Sequence, residues 1–128
     1  MTILLDTCAF IWMSTDEGQL SVAAREAIAD PANIRLFSAM SVFEMAIKTQ
    51  IGKLTLHAPL DRLISEGFHS GAIEELPVTI EHAMAVSALP FHHRDPFDRM
   101  LIAQARVMNV PIVTRDSAFA AYGVRVIW

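Results

Sequence analysis

The chain has little of what staples, breaks or solvates a polypeptide. Cysteine occurs once in 128 residues, at Cys8. A single cysteine cannot form an internal disulfide, which excludes a stapled secreted scaffold and makes a reducing cytoplasm the expected location. Charged residues make up only 19% of the sequence, against an apolar 53%, and that balance excludes disorder. No apolar run reaches the roughly 18 residues that read as a membrane span, so no membrane partner is expected. The opening Met1-Thr2-Ile3-Leu4-Leu5-Asp6 has no basic stretch and meets an acid at once, unlike a signal peptide. Positive charge is in deficit, with 10 Lys plus Arg against 14 Asp plus Glu and a formal net charge of -4. Taken alone, that deficit argues against a nucleic-acid partner, which normally leaves a basic footprint.

What is present is oil, with a mean hydropathy of +0.38. A chain this long is expected to be one domain over residues 1–128 and to bury roughly two-thirds of its unfolded surface. Thr2 to Leu5 reads as a buried strand closed by Asp6, and Thr7 to Met13 as an apolar helix. Ser21 caps a helix to about Ala29, ended by Asp30-Pro31, and Ile34 to Phe37 is a second strand. Ser38 or Ser41 opens a helix to Gln50, and Pro59 to His69 is amphipathic. Ile73 to Val78 is extended. Thr79 to Ala88 is a helix with Ile80, Ala83, Met84 and Ser87 on one side. Asp95-Pro96 opens a helix to about Met108, Pro111 to Val113 is a strand, Ser117 to Tyr122 a short helix and Val124 to Trp128 a last strand. Helices alternate with continuously apolar strands, which predicts an α/β three-layer α/β/α sandwich around a mostly parallel sheet.

Ligands of an open parallel sheet bind beyond the carboxyl ends of its strands. Asp6 follows Ile3-Leu4-Leu5, and Asp116 follows Ile112-Val113-Thr114-Arg115. Each also suits a helix cap. Glu44 lies in the greasy run Ser41-Val42-Phe43-Glu44-Met45-Ala46-Ile47, where a carboxylate is costly without a partner such as Lys48 at i+4 or a cation. In Arg94-Asp95-Pro96-Phe97-Asp98-Arg99, Asp95 suits the cap and Asp98 the first turn of a helix. The joint reading is a cluster of Asp6, Glu44, Asp98 and Asp116. Carboxylates sharing a pocket raise one another's pKa. A hard divalent cation relieves this, and oxygen-only ligation selects Mg²⁺ or Mn²⁺ over Zn²⁺.

These segments resemble a family. Leu4-Leu5-Asp6-Thr7, then Ser41 to Lys48 with Gly52-Lys53-Leu54, resembles the first half of a PIN-domain nuclease. His93 to Ala105 resembles its third motif, and Val113-Thr114-Arg115-Asp116 with Phe119 and Tyr122-Gly123-Val124 its fourth. Order and spacing match across essentially the whole chain, and the compact VapC-type toxins of toxin–antitoxin pairs are the most similar group. The resemblance implies a metal-dependent endoribonuclease in which Asp6, Glu44, Asp98 and Asp116 hold Mg²⁺ or Mn²⁺. Water is then the nucleophile on an RNA phosphodiester. It also implies a VapB-like antitoxin partner and a homodimer, or a larger assembly with the antitoxin. Phe43 stands where Trp is common, and Cys8 where a small hydroxyl residue is frequent. Neither departure removes an acid.

Asp95, Thr7 and Thr114 are expected to cap an element or support the acids. Arg94, Arg99, Arg115, Lys48 and Lys53 lie near the motif acids in sequence and are candidate phosphate contacts, with local ion pairs as the alternative. His92 and His93 read as loop residues, either solvated or near a substrate, since no third His or Cys stands at zinc spacing. Cys8 reads as a small buried hydrophobe. Trp12 reads as core, or as part of a dimer or antitoxin face. The rival functions are an RNA-processing nuclease outside toxin biology, a catalytically silent binding module of the same fold, a receiver-like phosphoacceptor and a nuclease on DNA structures. The receiver reading lacks the second acid after the first strand, where Thr7 stands. Two bound divalent ions would cancel the formal charge of -4, so the acidity is in part what a metal site requires.

Overall fold

The computed structural model describes residues Met1–Trp128. Its first strand, β1 (Thr2–Leu5), lies at the middle of a five-stranded sheet. Two-sided burial demands an unbroken apolar run here, and Ile3, Leu4 and Leu5 are all fully buried. Next come α1 (Thr7–Thr15), a 3-10 turn (Glu17–Gln19), α2 (Val22–Ala29), β2 (Ile34–Ser38), α3 (Ala39–Gln50) and α4 (Leu60–His69). The second half contains β3 (Glu74–Leu76), α5 (Ile80–Val86), α6 (Pro96–Met108), β4 (Ile112–Val113), a second 3-10 turn (Ser117–Tyr122) and β5 (Val126–Ile127). The strand order is β3-β2-β1-β4-β5, and every pair is parallel.

Alternating side chains of β1 serve two cores. Leu4 joins Leu101, Ile102, Ile112 and Phe119 under α6. Ile3 and Leu5 join Phe10, Phe37, Met45 and Val113 on the opposite face. Phe10 of α1 and Phe37 of β2 stack with ring centroids 4.2 Å apart. Leu5 is in register with Phe37 on one side and Val113 on the other, so the ends of β1, β2 and β4 share one edge. The chain leaves β1 toward β2 but returns later to β4 on its other side. That reversal opens a crevice at the carboxyl ends of β1 and β4, where open parallel sheets bind ligands.

Local chemistry sets most helix ends. Ser21 accepts a hydrogen bond from the Ala24 N–H at 3.1 Å, and Ser38, rather than Ser41, caps α3. Pro96 takes the first turn of α6, where its missing N–H costs nothing. Asn109 ends α6 in the left-handed conformation at φ 54, which Asn tolerates better than most side chains.

The Ile80 and Met84 side of α5 faces outward. Ile80 and Met84 of α5 are 80% and 68% exposed, while His82 is buried and Ala85 and Val86 pack against the core. A helix this short offers two usable apolar faces. The choice falls to Gln104, which is fully buried on α6 and needs partners for its amide. Ser38 donates to its Oε1 at 2.6 Å, and the amide nitrogen lies 3.3 Å from both the Pro77 carbonyl and His82 Nδ1. Turning α5 to supply His82 turns Ile80 and Met84 outward.

Candidate functional site

The crevice beyond β1 and β4 is an open cleft of roughly 370 Å³, and Asp6, Glu44, Asp98 and Asp116 all line it. Each acid reaches it through an ordinary local role. Asp6 caps α1, accepting from the Ala9 N–H at 2.7 Å. Asp116 caps the second 3-10 turn, accepting from the Ala118 N–H at 2.9 Å. Asp95 caps α6 with bonds from the Phe97 and Asp98 N–H groups at 2.8 and 3.1 Å, which puts Asp98 in the first turn, over the cleft. The amino ends of α1 and α6 therefore face the acids and offset part of their charge. For Asp6 and Asp116, cap and cluster member are one role, because α1 and the second 3-10 turn start just after β1 and β4 end.

Glu44 enters from the middle of α3 and is 5% exposed. Thr7 donates its hydroxyl to Glu44 Oε1 at 2.6 Å, and the Lys48 ammonium pairs with Oε2. The sequence alternative of an i,i+4 pair is thus realised, and the pair sits inside the cleft rather than on a solvated face. Lys48 is held above the usual lysine range, first by its bond to Glu44.

The cluster is short of positive charge. Asp6 is pushed up to about 6, mainly by burial and further by Glu44 and Asp116, while Thr114 and the Ala9 N–H hold it back. Asp98 is pushed up to about 7 by burial and then by Asp95, with His93 opposing. Thr114 also accepts the Asp116 N–H at 3.1 Å, so it braces both strand-end acids.

Three positions differ from the sequence reading. His93 is not a solvated loop residue. Its Nε2 lies 2.8 Å from Asp116 and 3.1 Å from Asp98, and these three side chains place ligand atoms within 4.8 Å of one another. The Asp95 N–H donates to Nδ1 at 3.1 Å, so the proton of the neutral ring is on Nε2, directed at the two carboxylates. The signal was its place just before Arg94-Asp95-Pro96. His92 is exposed, edge-on to Tyr122.

Arg99 is not a phosphate contact. It is 6% exposed, and its guanidinium donates to the carbonyls of Val86, Leu89, Pro90 and His93. A loop that turns its carbonyls inward needs such a donor fork. Cys8 is not buried but exposed, lining the cleft, where partial desolvation and then Asp6, Glu44 and Asp98 push its thiol up to about 11. Of the remaining bases, Arg115 and Lys48 line the cleft, while Arg94 and Lys53 are exposed outside its lining.

A family model for the PIN domain matches residues 3–124. The chain belongs to the PIN-domain family. Solved PIN-fold structures superpose over almost its whole length. VapBC2 from Rickettsia felis, bound to a DNA fragment from its promoter, aligns with a TM-score of 0.69 at 12% identity, covering 98% of this chain and 97% of that one. FitAcB from Neisseria gonorrhoeae aligns at 0.63 with 20% identity, covering 98% and 96%. VapBC-1 from nontypeable Haemophilus influenzae aligns at 0.65 with 14% identity, covering 98% and 96%. Identities this low speak to the fold. No curated protein matches by sequence. No helix is long and apolar enough to cross a membrane.

Proposed function

We propose that the chain is a metal-dependent endoribonuclease, the toxin of a VapC-type toxin–antitoxin pair, built as one PIN domain over residues 1–128. The observation that carries this reading is the convergence of Asp6, Glu44, Asp98 and Asp116 in one open cleft, with Asp6 and Asp98 pushed up to about 6 and 7. A bound divalent cation offsets the cost of gathering these carboxylates.

The donor set fits a hard divalent ion. Asp6, Asp98, Glu44 and Asp116 offer oxygen only, which suits Mg²⁺ or Mn²⁺, and Asp6 and Asp98 are the proposed direct ligands. Such an ion, when bound, supplies an acidified water and neutralises charge that develops on a phosphodiester. Thr7 and Lys48 hold the two oxygens of Glu44 in place. His93 and the Thr114 hydroxyl fix Asp116. Arg115, exposed at the lining of the cleft, is positioned to meet a phosphate. Cys8 has no histidine partner and is held as a neutral thiol, so no side-chain nucleophile is invoked.

The antitoxin partner is supported by the complexes in which the similar folds were solved, named VapBC and FitAcB. A protein partner or a second copy is supported also by large exposed apolar side chains, Phe43, Ile80, Met84 and Phe91 among them.

The test is cleavage of a mixed cellular RNA pool with added Mg²⁺ or Mn²⁺, with EDTA, and with Asp6→Asn. Cleavage should require the ion and fall at least a hundredfold in the variant. Undiminished cleavage in EDTA, or by Asp6→Asn, overturns the reading. In the cell, induced wild type should arrest growth and Asp6→Ala should not.

A further inference from the structure

Trp12 packs against the core, as sequence reasoning expects, and it also lines the same cleft as the four acids. It stands on α1 one turn after Cys8, so both face the cleft from the helix that Asp6 caps. Its indole is only half-buried, and the Trp128 ring packs against it at 5.9 Å and 53°. The C-terminal residue thus braces Trp12 while part of the indole stays open to the cleft. Arg115, in the same lining, is exposed and makes no ion pair and no side-chain hydrogen bond. Lys48 is the other cation in the lining, and it is committed to Glu44. A free guanidinium and a braced, open indole on one cleft are the two elements that bind a nucleotide without reading its sequence, one for the phosphate and one for the base.

The geometry points to Trp12 as a base-stacking platform and Arg115 as its phosphate contact, together forming a subsite for an unpaired nucleotide beside the acid cluster. This rests on the nuclease reading and adds which lining residues grip the base and its phosphate. A paired base hides its face in the helical stack, so the subsite selects single-stranded RNA. The indole is a specificity-determining group and has no part in proton transfer.

The experiment compares fluorescein-labelled octaadenylate with an abasic ribose-phosphate octamer of equal length. Binding to the full chain is read by anisotropy in Ca²⁺, which fills hard-oxygen sites. Wild type should bind octaadenylate about tenfold more tightly than the abasic octamer, the size of one stacking contact. Trp12→Leu keeps apolar bulk against Trp128 and should bind both octamers alike, while Trp12→Phe should keep most of the preference. Arg115→Ala should weaken both octamers by a similar factor. An undiminished preference for bases in Trp12→Leu overturns the subsite while leaving the nuclease reading standing. Absence of binding of either octamer to wild type, together with absence of RNA cleavage in Mg²⁺, overturns the nuclease reading itself.

Discussion

His93 and Asp116 meet through a 2.8 Å hydrogen bond, and the same imidazole nitrogen lies 3.1 Å from Asp98. One ring thereby lies between Asp98, in the first turn of α6, and Asp116, which follows β4. Without metal, it is the hydrogen-bond donor nearest both. His93→Ala should therefore lower the Tm of the metal-free protein, because Asp98 and Asp116 then face each other unbridged. The rise in Tm on adding Mg²⁺ should grow in the same variant, since the two carboxylates would then depend on the cation alone to offset their repulsion. Thermal scans of both proteins in EDTA and in Mg²⁺ check this, and an unchanged metal-free Tm contradicts it.

The metal-free protein should lose stability as pH rises. Asp6 and Asp98 titrate near 6 and 7 when folded, against 3.8 for the ordinary carboxyl. Between those values the folded chain binds more protons than the unfolded chain, so raising the pH favours unfolding. The contribution is fully present below the ordinary carboxylate range and gone above about 7. Melting in EDTA should show Tm falling by several degrees from pH 5 to pH 8, and saturating Mg²⁺ should flatten the slope.

Asp98→Asn should separate stability from activity. It removes one of the crowded charges while keeping the first-turn geometry that Asp95 caps. The variant should melt higher than wild type in EDTA at pH 8, respond less to Mg²⁺ and lose RNA cleavage. A site that holds like charges together is expected to trade stability for function in this way.

Arg99 should behave as a structural residue. Its guanidinium serves four carbonyls, that of Val86 at the end of α5 and those of Leu89, Pro90 and His93 in the loop that follows. Arg99→Ala leaves the Leu89 and His93 carbonyls without a donor, while Val86 and Pro90 keep the Leu89 N–H and the Tyr122 hydroxyl, and it should cost on the order of 3 kcal/mol in urea unfolding. Arg99→Lys should recover only part of that, because an ammonium cannot reproduce the planar fork.

The outward turn of α5 has its own test. Ile80→Lys should change stability by no more than about 0.5 kcal/mol, as at an ordinary surface site. Leu89→Ala, at a residue 5% exposed beneath the same helix, should cost about 2–5 kcal/mol. The opposite ranking would place Ile80 inward.

Much of the fold was legible because local rules and global packing agree along this chain. β1 ends at Leu5 and α6 runs Pro96–Met108, where the apolar run stops and the Asp95-Pro96 signal starts. The acids were legible because each occupies the end of a strand or the cap or first turn of a helix, or, for Glu44, a greasy stretch that a carboxylate must have a reason to enter. His93, Arg99, Cys8 and the buried side of α5 were not legible. Their surroundings come from segments distant in sequence: Asp116 for His93, the carbonyls of Val86 to Pro90 for Arg99, the cleft for Cys8, and Gln104 for α5.

By itself, then, the sequence determined the order of elements, the two-sided sheet and the four acids, because periodicity, capping and charge in an apolar run are local facts. Only the tertiary structure decided which polar groups compensate which. The parallel register of β1 with β2 and β4 sets the distances across the sheet edge, and electrostatic and hydrogen-bond energies depend on those distances, not on separation along the chain.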